Sequence, residues 1–169
     1  QIIGKTDQFR RNIANFTKRT HDHCRACHFA KGADMGQTRD EELKILKEAQ
    51  RKGILIIAAA GNERSNIDKK RNAYYPASYG LDNIITVGAH DQQVKLISSS
   101  NWGKKSVDIA APGYKIKSAI PGNASGYMTG TSQATAFVSG VVALMKSQFP
   151  SLKYSELKNI VLASSTQEP

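Results

Sequence analysis

A chain of 169 residues and 18.4 kDa, 40% hydrophobic and 22% charged, is long enough to bury one core and too short for two domains of ordinary size. It contains no run of about eighteen apolar residues that would cross a bilayer, and its opening QIIGKTDQFRR lacks the apolar centre of a signal peptide. The net charge of +10 is uneven, with eight Lys/Arg against three Asp/Glu in residues 1–39, but no nucleic-acid module accompanies the excess; a solvated basic surface is expected, not a nucleic-acid partner.

Residues 1–37 have no sustained period of 3.6 or 2 and are left unassigned. They hold His21, His23, Cys24, Cys27 and His28 within eight positions, so zinc is one reading, and CRACH also fits the C-x-x-C-H pattern of haem attachment. A five-residue pattern arises easily by chance, and an unstructured or out-of-frame segment is the reading preferred. Asn15-Phe16-Thr17 is a glycosylation sequon of little weight by itself.

Residues 38–169 alternate helical and strand signals. In TRDEELKILKEAQRKG, Thr38 and Glu41 form a capping-box pattern, Leu43, Leu46 and Ala49 share a face, and Gly53 can end the helix. ILIIAAAGN follows, an apolar run without polar alternation, as expected of a strand buried on both sheet faces. Further strands are expected at NIITVGA, VKLISSS, VDIAAPG and KIKSAI. The run QATAFVSGVVALMKSQF is apolar around most of a helix circumference and is expected to be buried, and a last helix is expected near 154–164.

Ser132, in GTSQATAFVSG, stands at the start of the buried helix. A serine there has free backbone N–H groups and the positive end of the helix dipole beside it, which favours a nucleophile whose attack creates an oxyanion. On GTS alone a plain N-cap is the preferred reading, since serine is among the favoured capping residues. Asn62, directly after a buried strand, would emerge at the carboxyl edge of the sheet where α/β sites lie, though Gly-Asn is also common turn chemistry. The G-x-S-x-G elbow of α/β-hydrolases is absent, because GTSQA lacks the second glycine.

Five motifs in order, AAAGNE, YYPASYG, SSSNWG, IAAPG and GTSQATAFVSG, resemble the C-terminal part of the subtilisin-like serine peptidases, the subtilases, over roughly residues 40–165. The resemblance implies a three-layer α/β fold, a parallel sheet with helices on both faces, incomplete on its N-terminal side. It makes Ser132 the acylating nucleophile, with the Asn62 amide and the Ser132 N–H as oxyanion hole. It places Gly130 and Thr131 beside the nucleophile, and Ala59, Ala60 and Gly61 along the pocket for the substrate side chain before the cleaved bond. Pro76 follows Tyr75 as in the family's Tyr-Pro near that pocket, a candidate cis peptide. Ala136 and Phe137 stand where the family usually has proline and histidine, which leaves the groups of Ser132 untouched.

The family's other parts are not found. Neither H-G-T-H around the base nor the D-[ST]-G acid motif is present, and the S-[WF]-G substrate strand is missing before the first helix. His90 lies between Asn62 and Ser132, out of the family's order. The chain is therefore expected to be inactive alone, to need the missing N-terminal part of the same catalytic domain as partner, and to act with it on peptide or protein substrates. An exposed sheet edge would make the isolated piece poorly soluble. No cofactor is required; the resemblance allows a weak calcium ion at the YPASYGLDN loop, and a secreted or periplasmic parent. The competing readings are a non-catalytic remnant or interaction module, and a Cys/His metal or haem segment fused to it.

Overall fold

The computed structural model describes residues 35–166. Two compact units divide the chain at residues 43 and 44; of the first, the described part is the opening of helix α1, and the sheet with its packed helices belongs to the second. The Cys/His cluster of residues 21–28 lies outside the described residues.

Helix α1 spans Met35–Arg51, beginning one turn before Thr38, so the expected capping box falls inside the helix. Its end is as expected. Gly53 adopts φ +73°, its N–H reaches the Gln50 carbonyl at 3.0 Å, and the Ile54 N–H reaches that of Ala49 at 2.9 Å. Those two bonds form a Schellman motif, which favours glycine at the left-handed position.

Strands β1 (Ile56–Ala59), β2 (Ile84–His90) and β3 (Ile109–Pro112) form a parallel sheet in the order β1-β2-β3. Ile57 pairs with Ile85, and Val87 with Ile109. All of β2 but His90 is buried, which explains its lack of polar alternation. Antiparallel strands β4 (Ile116–Ile120) and β5 (Ala124–Met128) make a separate hairpin. Helix α2 spans Thr131–Gln148 and α3 spans Tyr154–Ala163.

The core lies between the sheet and α2: Ile85, Val87 and Ala89 meet Ala111, Ala134 and Val138, with Val161 of α3 closing the cluster. A second cluster, Ala60, Ile67 and Ala77, is joined by Tyr74 and Val107. Lys158 of α3 donates to the Ile84 carbonyl and lies 3.5 Å from the Asp108 carboxylate, whose other oxygen accepts the Thr86 N–H at 2.8 Å. One charge pair thus ties α3 to β2 and to the approach to β3.

Gly113, after β3, shows where close approach demands glycine. A Cβ there would lie 2.5 Å from the Ala89 Cβ and 2.7 Å from the Gly130 carbonyl oxygen, both fixed. Gly113→Ala is expected to cost about 1–3 kcal/mol by overpacking, read as a lowered midpoint in urea unfolding. An unchanged midpoint would mean that this contact is loose.

Two strand expectations differ from the structure. VKLISSS holds one isolated bridge, Leu96 to His90. The segment is diverted by a turn in which Asp91 Oδ1 accepts the N–H groups of Gln93 and Lys95 and Val94 takes φ +60°. Strand β5 has no counterpart among the expected strands, because ASGYM is mostly exposed and lacks an apolar alternation. Helix α2 also departs from its expected full burial: Phe137, Val141 and Leu144 are 47%, 49% and 56% exposed along one stripe. The neighbouring stripe, Thr131, Ala134 and Val138, is buried, and its Ala134 and Val138 meet the sheet. Strand β1 pairs with β2 alone, so among the described residues its other edge has no strand partner.

Candidate active site

Thr131 opens α2 at the carboxyl end of the sheet, and the four N-terminal N–H groups of the helix have no intrahelical acceptor. Two are used elsewhere. Gly130 donates to the Gly113 carbonyl at 2.8 Å, and Thr131 donates to Asn62 Oδ1 at 3.0 Å. Those of Ser132 and Gln133 have no partner among the described residues and remain at the positive end of the helix. Ser132 is exposed, in the second position of the helix, and so is Asn62.

The loop after β1 meets the helix in a reciprocal pair of bonds. The Gly61 N–H donates to Thr131 Oγ1 at 3.2 Å, while the Thr131 N–H donates to Asn62 Oδ1. With its oxygen occupied as acceptor, the amide of Asn62 keeps Nδ2 as the end that donates. A Cβ on Gly130 would lie 3.3 Å from Asn62 Oδ1 and 3.4 Å from Nδ2, so glycine leaves the amide its room. Asn62, Gly130, Thr131 and Ser132 are thus brought together. Thr131 reads from sequence as no more than a flank of the nucleophile; its two bonds depend on a contact 69 and 70 residues away and leave no local signal.

The expected pocket wall is less open than small side chains alone imply. Ala60 and Gly61 are buried and Ala59 half-buried. Gly61 has φ +97°, and a Cβ there would lie 2.4 Å from Asn101 Nδ2 and 2.9 Å from Tyr74 Cε2. The Tyr75-Pro76 peptide bond is cis. Asn101, fully buried, has no site role legible in SSSNWG; it bonds to the residues on both sides of Asn62.

No acid–base pair accompanies Ser132 among the described residues. His90 is the one histidine within them, and its Nδ1 lies 2.7 Å from the Asp91 carbonyl. No group of three or more His, Cys, Asp or Glu side chains forms there, and loop 75–83 offers a single carboxylate, Asp82. That donor set does not make a strong calcium site.

Beyond Asn101 the chain is held by Asp68. Its carboxylate accepts the Ser106 N–H at 2.9 Å and the Lys105 N–H at 3.1 Å. Asp68 is exposed, and the slight desolvation that pushes its carboxyl up is outweighed by the hydrogen bonds from Ser106, Lys105 and Lys104, which hold it below its ordinary value. A depressed folded value means stabilisation fully present above the ordinary carboxylate pKa of about 4 and lost as pH falls through the depressed one. Lys105 and Ser106 amides should therefore lose exchange protection in acid before β2 does, and Asp68→Asn should abolish that pH dependence; a loop indifferent to pH would contradict it.

Comparison with known proteins fits this geometry. The subtilase family model matches residues 8–169, taking in most of the segment to which the sequence assigned no fold. The thermophilic serine proteinase of Bacillus sp. (strain AK1) is 47% identical over 100 residues, 59% of this chain and 23% of that protein. Alkaline elastase YaB of Bacillus sp. (strain YaB) is 35% identical over 128 residues, 76% and 31% of the two chains. The major intracellular serine protease of Bacillus subtilis (strain 168) is 40% identical over 107 residues, 63% and 33%. Among solved structures, a cold-adapted subtilisin-like serine proteinase aligns with TM-score 0.67 and 28% identity over 80% of this chain and 46% of that one. The chain thus spans about a quarter to a third of these curated relatives. By the reach of the family match and the shared α/β fold, the chain belongs to the subtilase family of serine peptidases.

Proposed function

We propose that this chain is the C-terminal part of a serine endopeptidase catalytic domain in which Ser132 is acylated and Asn62 holds the oxyanion. The observation that carries the reading is the 3.0 Å bond from the Thr131 N–H to Asn62 Oδ1, which sets the Asn62 amide beside the start of α2. In the reaction, Ser132 Oγ attacks the peptide carbonyl carbon and the carbonyl electron pair moves to oxygen. Asn62 Nδ2 and the Ser132 N–H donate to that oxygen. The serine proton passes to an imidazole and from it to the leaving amine; water then hydrolyses the acyl-enzyme. The imidazole and its orienting carboxylate are assigned to the missing N-terminal part of the domain, and no step passes through a metal.

That missing part is also the partner assigned to the open side of β1 and to the exposed stripe Phe137, Val141 and Leu144. Alone, the chain is inactive; its substrate class is peptide or protein. No helix among the described residues is long and apolar enough to cross a membrane. An exported parent is our expectation, although one relative is named as an intracellular protease. The test is to combine the chain with an N-terminal subtilase segment bearing the acid and base motifs and to treat the complex with a fluorophosphonate. Labelling at Ser132 is expected; a folded complex that stays unlabelled would leave the non-catalytic interaction module as the better reading. That alternative is favoured by one feature: among the described residues no base is hydrogen-bonded to Ser132, the Nδ1 of His90 lying against the Asp91 carbonyl instead.

A further inference from the structure

We infer that Asn101 is a positioning residue for the oxyanion site, acting through the loop that carries Asn62. The inference rests on the peptidase reading for its catalytic consequence. Asn101 is 1% exposed and fully hydrogen-bonded. Its Nδ2 donates to the Ala60 carbonyl at 2.8 Å and to Glu63 Oε2 at 2.6 Å. Its Oδ1 accepts the N–H groups of Glu63 and Ser65, both at 3.0 Å, and its own N–H donates to the Gly61 carbonyl at 2.9 Å. One buried side chain therefore grips the residues before and after Asn62 but not Asn62 itself.

The loop needs such a grip. Gly61 and Arg64 both take left-handed conformations, φ +97° and +54°, the second at a residue with a Cβ. Asn62 is exposed, and its side chain is tied to the rest by the bond to Thr131. The aim of Nδ2 is thus set by the backbone on either side. Oxyanion donors act only when held near 2.7–3.1 Å from the developing charge, so a shift of about 1 Å in this loop removes their effect. Asn101 supplies both the donors and the acceptors the loop lacks, which neither Asp nor Ala can do.

The first test uses the full chain, labelled with nitrogen-15. In Asn101→Ala, the amides of Gly61 and Thr131, whose bonds report the loop's register against α2, should exchange about tenfold faster or more, while Val87 and Ala89 in β2 keep their protection. Asn101→Asp keeps the acceptor but places a carboxylate against Glu63; it should show the same loss, partly recovered by adding Glu63→Gln. Unchanged exchange at Thr131, or equal acceleration in β2, would overturn the inference. In the complex with the N-terminal segment, Asn101→Ala should lower kcat about tenfold or more with KM nearly constant, and add little in an Asn62→Ala background. Additive losses, or a change in KM alone, would overturn it too. If the unmutated complex hydrolyses nothing, the peptidase reading fails, and the exchange result still decides whether Asn101 holds the loop.

Discussion

Ser132→Ala, introduced into the chain and assembled with the N-terminal segment, is expected to abolish fluorophosphonate labelling and to lower kcat by about 10⁶, the scale of loss known for the catalytic serine of subtilisin. The expectation follows from position. Ser132 is exposed at the second residue of α2, beside N–H groups that the helix leaves unsatisfied, and it is not buried within the helix as a structural serine would be. If Ser132 had no chemical role, its change to alanine inside the first turn, where Gly130 is the cap, would cost no more than about 0.5 kcal/mol of stability and no chemistry. Measuring kcat and the unfolding midpoint on the same samples separates the two: activity should collapse while the midpoint stays within a few degrees. Retained labelling in the alanine variant would assign the nucleophile to another residue.

Asn62→Leu should reduce kcat by about 10²–10³ with KM little changed, the magnitude known for the oxyanion-hole asparagine of subtilisin. Leucine is close in size but offers neither the Nδ2 donor nor the oxygen that accepts the Thr131 N–H. Two effects are then combined, loss of the oxyanion donor and release of the helix start. Asn62→Asp separates them, because it keeps the acceptor for Thr131 and replaces the donor with a negative charge. Its kcat should fall at least as far as that of the leucine variant, whereas its stability should remain closer to the original. A large rise in KM at constant kcat would show that Asn62 binds ground-state substrate instead.

Much of this arrangement is legible in the residues. The unbroken apolar run of β2, the strand leading to Asn62 and the helix start at Ser132 each carry their structural meaning locally, since burial on both faces or a helix terminus constrains neighbouring residues. What stays hidden depends on residues far apart. Asn101 reads as one more polar residue in SSSNWG, and its role exists only because residues 36 and 41 positions away fold against it. Thr131 is similar, with its hydroxyl and N–H both committed to the loop after β1. The stripe Phe137, Val141 and Leu144 shows the opposite failure. Its apolar side chains read as buried because a helix of this composition is built to be covered, yet among the described residues only one side of it meets the sheet. Strand β5 escapes for a third reason, because a strand exposed on both faces leaves no hydrophobic period to read.

The most direct test of the site is a crystal structure of the assembled complex with a peptide aldehyde bound covalently to Ser132 Oγ. The hemiacetal oxygen should lie about 2.7–3.1 Å from both Asn62 Nδ2 and the Ser132 N–H. An adduct whose oxygen points away from Asn62, or a complex in which the Asn62 amide has left the Thr131 N–H and faces solvent, would contradict the convergence of these two residues on one reaction.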